Sequence, residues 1–521
     1  MTFFRIILFF FFLFLSAEAK NKADIQRFCP LLEEKIKKIK DDYRAPGLAI
    51  ALIKNNEVIY THTTGVKENG TDTPINNETV FQVASTSKLL LTFVIAQLVE
   101  EKVLSWDTPV HKYVPELEFS DKTANEKITL IDLLTHRVGL QAFTGDMMWH
   151  LHFSPTELIK SLKHIKFKSC FREKYAYQNS MFAIAGIMVE RATQKSIEQL
   201  FNERIFKPLN MEQASVGMDA LKPKFFGFKK ANFAFPHDIR DGKVYTKPLM
   251  PHMYYFPGSS GVNLSIQDAA KWLIFSMNDY THNGKQYLKK ETIDFLRSPK
   301  STATISDHDL QFAKERFSKT SYDIGIFESQ YGPSDKTKLY AHMGGFNGVR
   351  SYFGFIPSEN IGIVILSNYG SMRVSLMPEV IRNTFLDWYF DLKGIDWLER
   401  IHGTELKWRS EHKNHRTLNR LHYPTAPRNF NDYTGVYTHK IFGNATIEHK
   451  DGKLIVQYKG KNIPLTHWNG DEFDMKPYHL DESYNDYDVC PVYFYLNTQG
   501  QFKLYIGNMS EGVSPYFEKT H

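Results

Sequence analysis

The sequence predicts an α+β protein, an antiparallel sheet flanked by helices and interrupted by a helical region, followed by a small antiparallel β-barrel or sandwich. Two observations predict it. Apolar, β-branched-rich runs occur near residue 50 and again beyond residue 320, while helical periodicity fills the stretch between them. From residue 426 onwards the pattern changes to short alternating runs separated by turn dipeptides. A doubly wound sheet would alternate strand and helix throughout.

Taken in order, residues 23–43 carry an amphipathic helical pattern, and residues 47–53 and 57–63 are two apolar runs joined by Asn55-Asn56, as in a hairpin. Helical spacing follows over residues 86–103, 129–135, 156–164 and 180–193. Strand signals return at 322–327, 339–343, 349–356 and 361–367, the last two joined by the turn Pro357-Ser358-Glu359-Asn360, and a helix over 377–391 closes the first domain. Residues 394–425, polar and rich in His, Arg and Lys, are expected to be a linker. In the tail, runs at 435–439, 444–449, 454–458 and 462–468 are expected as strands. Asp451-Gly452, Lys459-Gly460, Asn469-Gly470 and Gln499-Gly500 supply the hairpin turns.

The bulk numbers agree with two domains. A chain of 521 residues exceeds what one core normally holds, and 42% hydrophobic with 23% charged residues is ordinary for packed protein. We expect domains at 20–393 and 426–521. The 64 basic and 58 acidic residues are interspersed, which argues against a nucleic-acid partner despite a net charge of +6. Residues 1–19 are expected to be a signal peptide: Arg5 lies in the n-region, residues 6–15 are apolar, and Ala17-Glu18-Ala19 offers a small-x-small cleavage site. That run is shorter than the roughly 20 residues a spanning helix needs, so the mature chain is expected to be secreted or periplasmic with no membrane span. Three cysteines, Cys29, Cys170 and Cys490, allow at most one disulfide and have no zinc-ligand spacing. Glycosylation acceptor patterns begin at Asn69, Asn77, Asn263, Asn444 and Asn508.

Three short motifs could carry chemistry. Ser85-Thr86-Ser87-Lys88 opens a long apolar helix, which places Lys88 on the same face as Ser85 at a helix N-terminus. A buried lysine has a depressed pKa and can act as, or help create, the base for a serine nucleophile. The same spacing recurs at Ser410 to Lys413, but in a polar segment with no apolar helix behind it. Tyr177-Gln178-Asn179 offers a phenol for proton transfer and an amide for hydrogen bonding; a nearby lysine cation is expected to lower the phenol pKa. The alternative is a core tyrosine with Asn179 as a helix N-cap. His342-Met343-Gly344-Gly345 lies on an expected strand, where glycines let a substrate backbone approach.

In order and setting, Ser85 to Lys88, Tyr177 to Asn179 and His342 to Gly344 resemble the S-x-x-K, Y-x-N and K/H-x-G motifs of the class C β-lactamase and penicillin-binding-protein-like serine hydrolases. The likeness extends to Leu133-Leu134-Thr135-His136-Arg137-Val138-Gly139-Leu140, to Pro257-Gly258-Ser259-Ser260-Gly261-Val262 with Asp268 and Trp272, and to the H-x-G-x-x-x-G run His342 to Gly348. It covers roughly residues 40–390 and implies a β-lactamase/transpeptidase-like fold. By that resemblance Ser85 is the acylated nucleophile, Lys88 and Tyr177 activate it, Asn179 and His342 contact substrate, and the backbone N–H groups of Ser85 and Gly345, beside Gly344, form the oxyanion hole. The tail is similar to lipocalin-like domains appended to such hydrolases. No metal or cofactor is implied.

His342 stands where β-lactamases usually place a lysine, and a neutral imidazole gives a substrate carboxylate no fixed charge. An ester, an amide or a short peptide containing D-amino acids is therefore the expected small-molecule or short-peptide substrate. A β-lactamase or D-Ala-D-Ala carboxypeptidase is the alternative, and a catalytically silent binding or scaffold protein is the alternative of another class. The sequence lacks the G-x-S-x-G elbow of an α/β-hydrolase and the H-E-x-x-H of a zincin.

Overall fold

The computed structural model describes residues 20–218, 232–240, 242–301, 312–332, 337–346, 348–370, 375–413, 421–476, 490–507, 509 and 514–520. The leader expected at 1–19, Asn347 of the third motif and Asn508 lie outside these residues.

Helix α1 (Lys22–Tyr43) leads into the hairpin of β1 (Gly47–Lys54) and β2 (Glu57–Gly65). Asn55 and Asn56 both take positive φ, 53° and 61°, as a tight type I′ turn requires. Helices α2 (Ser87–Glu100), α3 (Asn179–Thr193) and α4 (Ile266–Met277) follow. Strands β3 (Phe317–Tyr322), β4 (Phe327–Tyr331), β5 (Lys338–Phe346), β6 (Val349–Ile356) and β7 (Ile361–Ser367) then precede α5 (Met377–Tyr389). Strand order is β3-β4-β5-β6-β7-β1-β2, and every pair is antiparallel.

Strand β1 reads as one apolar run because both faces of the sheet are covered. Leu48, Ile50 and Leu52 pack in one cluster with residues of α1 and α5, while Ala49, Ala51 and Ile53 face the cluster containing α2 and α4. Each large aliphatic side chain so buried contributes about 1.5–3 kcal/mol. Phe28 stacks on Trp388 at 3.9 Å, tying α1 to α5.

Of residues 322–327, expected as one strand, Tyr322 ends β3 and Phe327 opens β4, and residues 323–326 are the turn that connects them. Gly325 has φ +75°, and the Asp323 N–H donates to the Ile326 carbonyl at 2.9 Å. The apolar Ile324 and Ile326 that suggested a strand are buried beneath this turn. The first part of the expected linker is also ordered. Trp397, Leu398 and Ile401 are buried, and helix α6 (Gly403–Lys413) presents buried Glu405, which accepts from the Leu376 N–H at 2.8 Å. None of the three cysteines is paired. Asn263 is buried and hydrogen-bonded to Tyr254, whereas Asn69, Asn77 and Asn444 are exposed.

The tail is a nearly closed antiparallel barrel of nine strands. These are β8 (Gly435–His439), β9 (Gly443–Lys450), β10 (Lys453–Tyr458), β11 (Lys461–Pro464), β12 (Thr466–Asn469), β13 (Glu472–Met475), β14 (Cys490–Leu496), β15 (Phe502–Ile506) and β16 (Tyr516–Lys519). Their order, β11-β10-β9-β8-β16-β15-β14-β13-β12, puts at the two ends of the sheet strands that only Leu465 separates in the chain, so the sheet must curl round on itself. The stretch 462–468 is thus two strands, not one, broken at Leu465 so that each part pairs at a different end of the sheet. The barrel meets the first domain at Phe153, whose ring lies 6.4 Å from that of Phe442 and 3.4 Å from the Lys459 ammonium.

Candidate active site

The site is built where a short strand breaks. Val80–Gln82 pairs with Val262–Ser265, and the chain then turns at Ala84, which holds φ +48° without being glycine. Such a conformation costs of order 1–3 kcal/mol and persists only where the surroundings impose it. It delivers Ser85, half-buried, at the 3-10 turn Ala84–Thr86 that opens α2. Strand β4 pairs with β5 only as far as Ala341. Beyond it, residues 342–346 lie without a strand on that side and pack against the turn bearing Ser85. Gly344 makes this approach possible, since a Cβ there would lie 2.3 Å from the Val83 carbonyl oxygen and 3.1 Å from the Ser85 nitrogen. Gly345 follows, exposed on the open edge.

Lys88, one turn further along, is fully buried. Its Nζ lies 3.1 Å from Ser85 Oγ, 2.7 Å from Asn179 Oδ1 and 3.0 Å from the Ser259 carbonyl oxygen. The last two can only accept, so they engage two N–H bonds of the amine. The remaining position points at Ser85 Oγ, a proton in the ammonium and a lone pair in the neutral amine. Burial lowers the lysine pKa to about 7, against the opposing pull of the Asp146 charge. A large fraction of Lys88 is therefore neutral near pH 7.

Tyr177 is hydrogen-bonded to the Ser85 side chain and lies with its ring 5.1 Å from Lys88 Nζ. Its pKa is raised, not lowered as expected from the neighbouring lysine: burial outweighs the Ser85 hydrogen bond, and the Asp146 charge adds to it. Tyr177 therefore stays a phenol. His342 is buried with Nδ1 2.7 Å from its own neighbour's carbonyl, Met343 O, which can only accept. Nδ1 thus carries the proton, and Nε2 faces the Tyr322 hydroxyl at 3.5 Å. Burial and then the Lys88 charge hold the His342 pKa at about 3, so the ring is neutral.

Residues 32–383 match the family model described as Beta-lactamase. The chain belongs to the Beta-lactamase family. Among curated relatives, it is 25% identical to "Unguisins hydrolase ungD'" of Aspergillus campestris, over 80% of this chain and 76% of that one. It is 23% identical to the "Beta-lactamase" of Escherichia coli strain K12, over 68% of this chain and 93% of that one. The octameric penicillin-binding protein homologue from Pyrococcus abyssi superposes with a TM-score of 0.58 at 20% identity, covering 94% of this chain and 99% of the other, a likeness of fold. Residues 421–506, most of which fall in the tail 426–521 expected to be lipocalin-like, match the Domain of unknown function (DUF3471). No helix among the described residues is long and apolar enough to cross a membrane.

In this Beta-lactamase-family chain the fold gathers Ser85, Lys88, Tyr177, Asn179, His342 and Gly344 around one point, with Gly345 beside them. Asn179 is not the N-cap of α3; Gln178 is, and the Asn179 amide is engaged by Lys88 and Asp146. Ser410 is exposed, with its hydroxyl donating to the Lys407 carbonyl. Sequence reasoning missed three participants. The Ser259 carbonyl lay in a quoted glycine-rich run, but no side chain betrays a backbone acceptor. Buried His136 packs its ring 4.5 Å from that of Tyr177 and 4.7 Å from that of Tyr322, and accepts from the Gln178 N–H at 3.1 Å. Asp146, whose carboxyl accepts from Asn179 Nδ2 at 2.9 Å, is pushed up to about 6 by burial. Its only signal was an acid opening the apolar run Met147-Met148-Trp149.

Proposed function

We propose that this chain is an exported serine hydrolase that works through an acyl-enzyme on Ser85, with Lys88 as the base. The observation that carries the reading is the direction of the Lys88 amine: two pure acceptors hold its N–H bonds, and its third position faces Ser85 Oγ at 3.1 Å. Neutral Lys88 takes the Ser85 proton as Oγ attacks a carbonyl carbon. The N–H groups of Ser85 and Gly345 receive the oxyanion. Tyr177, protonated and bonded to Ser85, passes its proton to the leaving group and regains one from the Lys88 ammonium. Water then hydrolyses the ester, restoring Ser85. Export rests on the leader pattern of residues 1–19.

The substrate class follows from His342. A neutral, buried imidazole whose Nδ1–H is already given to Met343 O offers a desolvated carboxylate neither a positive charge nor a free donor, which favours esters, amides or short D-amino-acid peptides. The likeness to the E. coli β-lactamase supports β-lactam or D-Ala-D-Ala substrates as a second reading. Intact-protein mass spectrometry after incubation with a fluorophosphonate and, separately, with a penicillin tests both. The expected result is one fluorophosphonate adduct, mapped to Ser85 and absent in Ser85→Ala, with slow or no penicillin turnover. Folded wild-type protein that takes no label, or takes it on Ser410, refutes the mechanism. Penicillin turnover faster than ester turnover would put the second reading first.

A further inference from the structure

Behind the nucleophile lies a buried acid that the chemistry just described does not use. Asp146 opens the short helix Asp146–His150. Its Oδ2 accepts from Asn179 Nδ2 at 2.9 Å, and its Oδ1 is buried with no hydrogen-bond partner among the described residues. An unsatisfied carboxylate oxygen in a low-dielectric interior is destabilising, so its retention calls for a compensating role.

The role follows from the two ends of one amide. Asn179 has a carbonyl end, which accepts from Lys88, and an amino end, which donates to Asp146. A carboxylate can only accept, so it holds the amino end and thereby turns the carbonyl end toward Lys88. Were the amide reversed, two donors would face each other at the lysine, and the Lys88 lone pair would lose its direction toward Ser85. We propose that Asp146 is a positioning residue for the Ser85 reaction: it orients the Asn179 amide, which aims the Lys88 amine, and its charge sets the pH at which that amine becomes a base. This inference rests on the reading of Lys88 as the base.

The charge acts among few neighbours. Facing Asp146 are His150 on its own helix, Lys88 from α2 and Tyr177, and facing Lys88 are Asp146, Tyr177, and the buried imidazoles of His136 and His342. Asp146 is the sole acid in this group, and both imidazoles are neutral by burial. An anionic Asp146 favours the lysine's protonated form and so delays formation of the base as pH rises.

Two variants separate geometry from charge. Asp146→Asn keeps a carbonyl oxygen for Asn179 to donate to and removes the charge, placing its amino group where the unpartnered Oδ1 lay. Asp146→Ala removes both. The measurement is the second-order rate of Ser85 labelling by a fluorophosphonate across pH 5 to 9, on full-length protein with folding checked by circular dichroism. With the charge gone, Lys88 loses its proton more easily, so the acid limb of Asp146→Asn should move to lower pH by roughly one unit while the high-pH plateau stays near wild type. Asp146→Ala should show the same displaced limb and a plateau reduced about tenfold or more, as Asn179 is freed to turn. An acid limb in Asp146→Asn that superimposes on wild type overturns the proposal while leaving Lys88 as base. Wild-type protein unlabelled at Ser85 removes both. If Asp146→Ala does not fold, Asp146→Asn decides alone, because a merely structural carboxylate would not displace the limb.

Discussion

Gly344→Ala tests how tightly the sheet must seat against the nucleophile. The added methyl would lie 2.3 Å from the Val83 carbonyl oxygen and 2.4 Å from Ser351 Oγ, with the Ser85 nitrogen at 3.1 Å. Non-bonded heavy atoms settle at roughly 3.5 Å, so either β5 or the Ser85 turn must give way by about 1 Å. Neither yields cheaply: Ser351 Oγ donates to Val83 O at 2.6 Å, and β5 is paired with β6 from Tyr340 to Phe346. Overpacking of this kind costs about 1–3 kcal/mol of stability. A displacement of 1 Å at reacting groups costs roughly 100-fold in rate, and loss of one oxyanion donor about 100- to 1000-fold. We therefore expect the labelling rate and ester kcat of Gly344→Ala to fall about 100- to 1000-fold while the protein remains folded by denaturant titration. Gly186→Ala is the control, since the nearest atom to its new Cβ is 4.0 Å away and alanine suits the interior of α3. Gly344→Ala labelling within a few-fold of wild type would refute the claim that this contact sets the geometry.

Two further outcomes follow from the charge state of the site. Lys88→Ala, Tyr177→Phe and the double variant should lose similar activity, because the two residues handle one proton; losses that multiply in the double variant would show independent roles. The folded lysine releases its proton near pH 7 and the unfolded one near 10.5, so between these values the unfolded chain binds the extra proton and wild-type stability must rise with pH. Relative to Lys88→Met, wild type should gain roughly 1–3 kcal/mol between pH 7 and 9 in urea titrations, and a flat difference would mean that Lys88 is not desolvated.

Much of the fold is local and therefore legible. Asn55-Asn56 and Asp451-Gly452 adopt positive φ at both positions, which Asn, Asp and Gly tolerate before any tertiary contact exists, and Lys459-Gly460 does the same with its glycine as the only favourable residue. Apolar periodicity located α1, α2 and α3 to within a few residues because a helix must bury one face wherever it packs. Periodicity failed at Ile324 and Ile326, where burial comes from a turn folding over the core, and at Leu465, where one strand pattern holds a break that barrel closure requires.

The same division holds for the site. By itself the sequence determined that Ser85 and Lys88 share a helix face, since three residues is nearly one helical turn, and that a tyrosine, an asparagine and a glycine-flanked histidine are at hand. Only tertiary structure decided their states. The Tyr177 pKa goes up, where a neighbouring cation suggested down, because desolvation depends on what surrounds the ring, and Lys88 of α2, Tyr322 of β3, His342 of β5 and His136 reach it from separate parts of the chain. Asp146 and the Ser259 carbonyl entered the site for the same reason: a hydrogen bond across 33 residues, or 171, depends on where the packed core sets two backbones, and no local pattern records that distance.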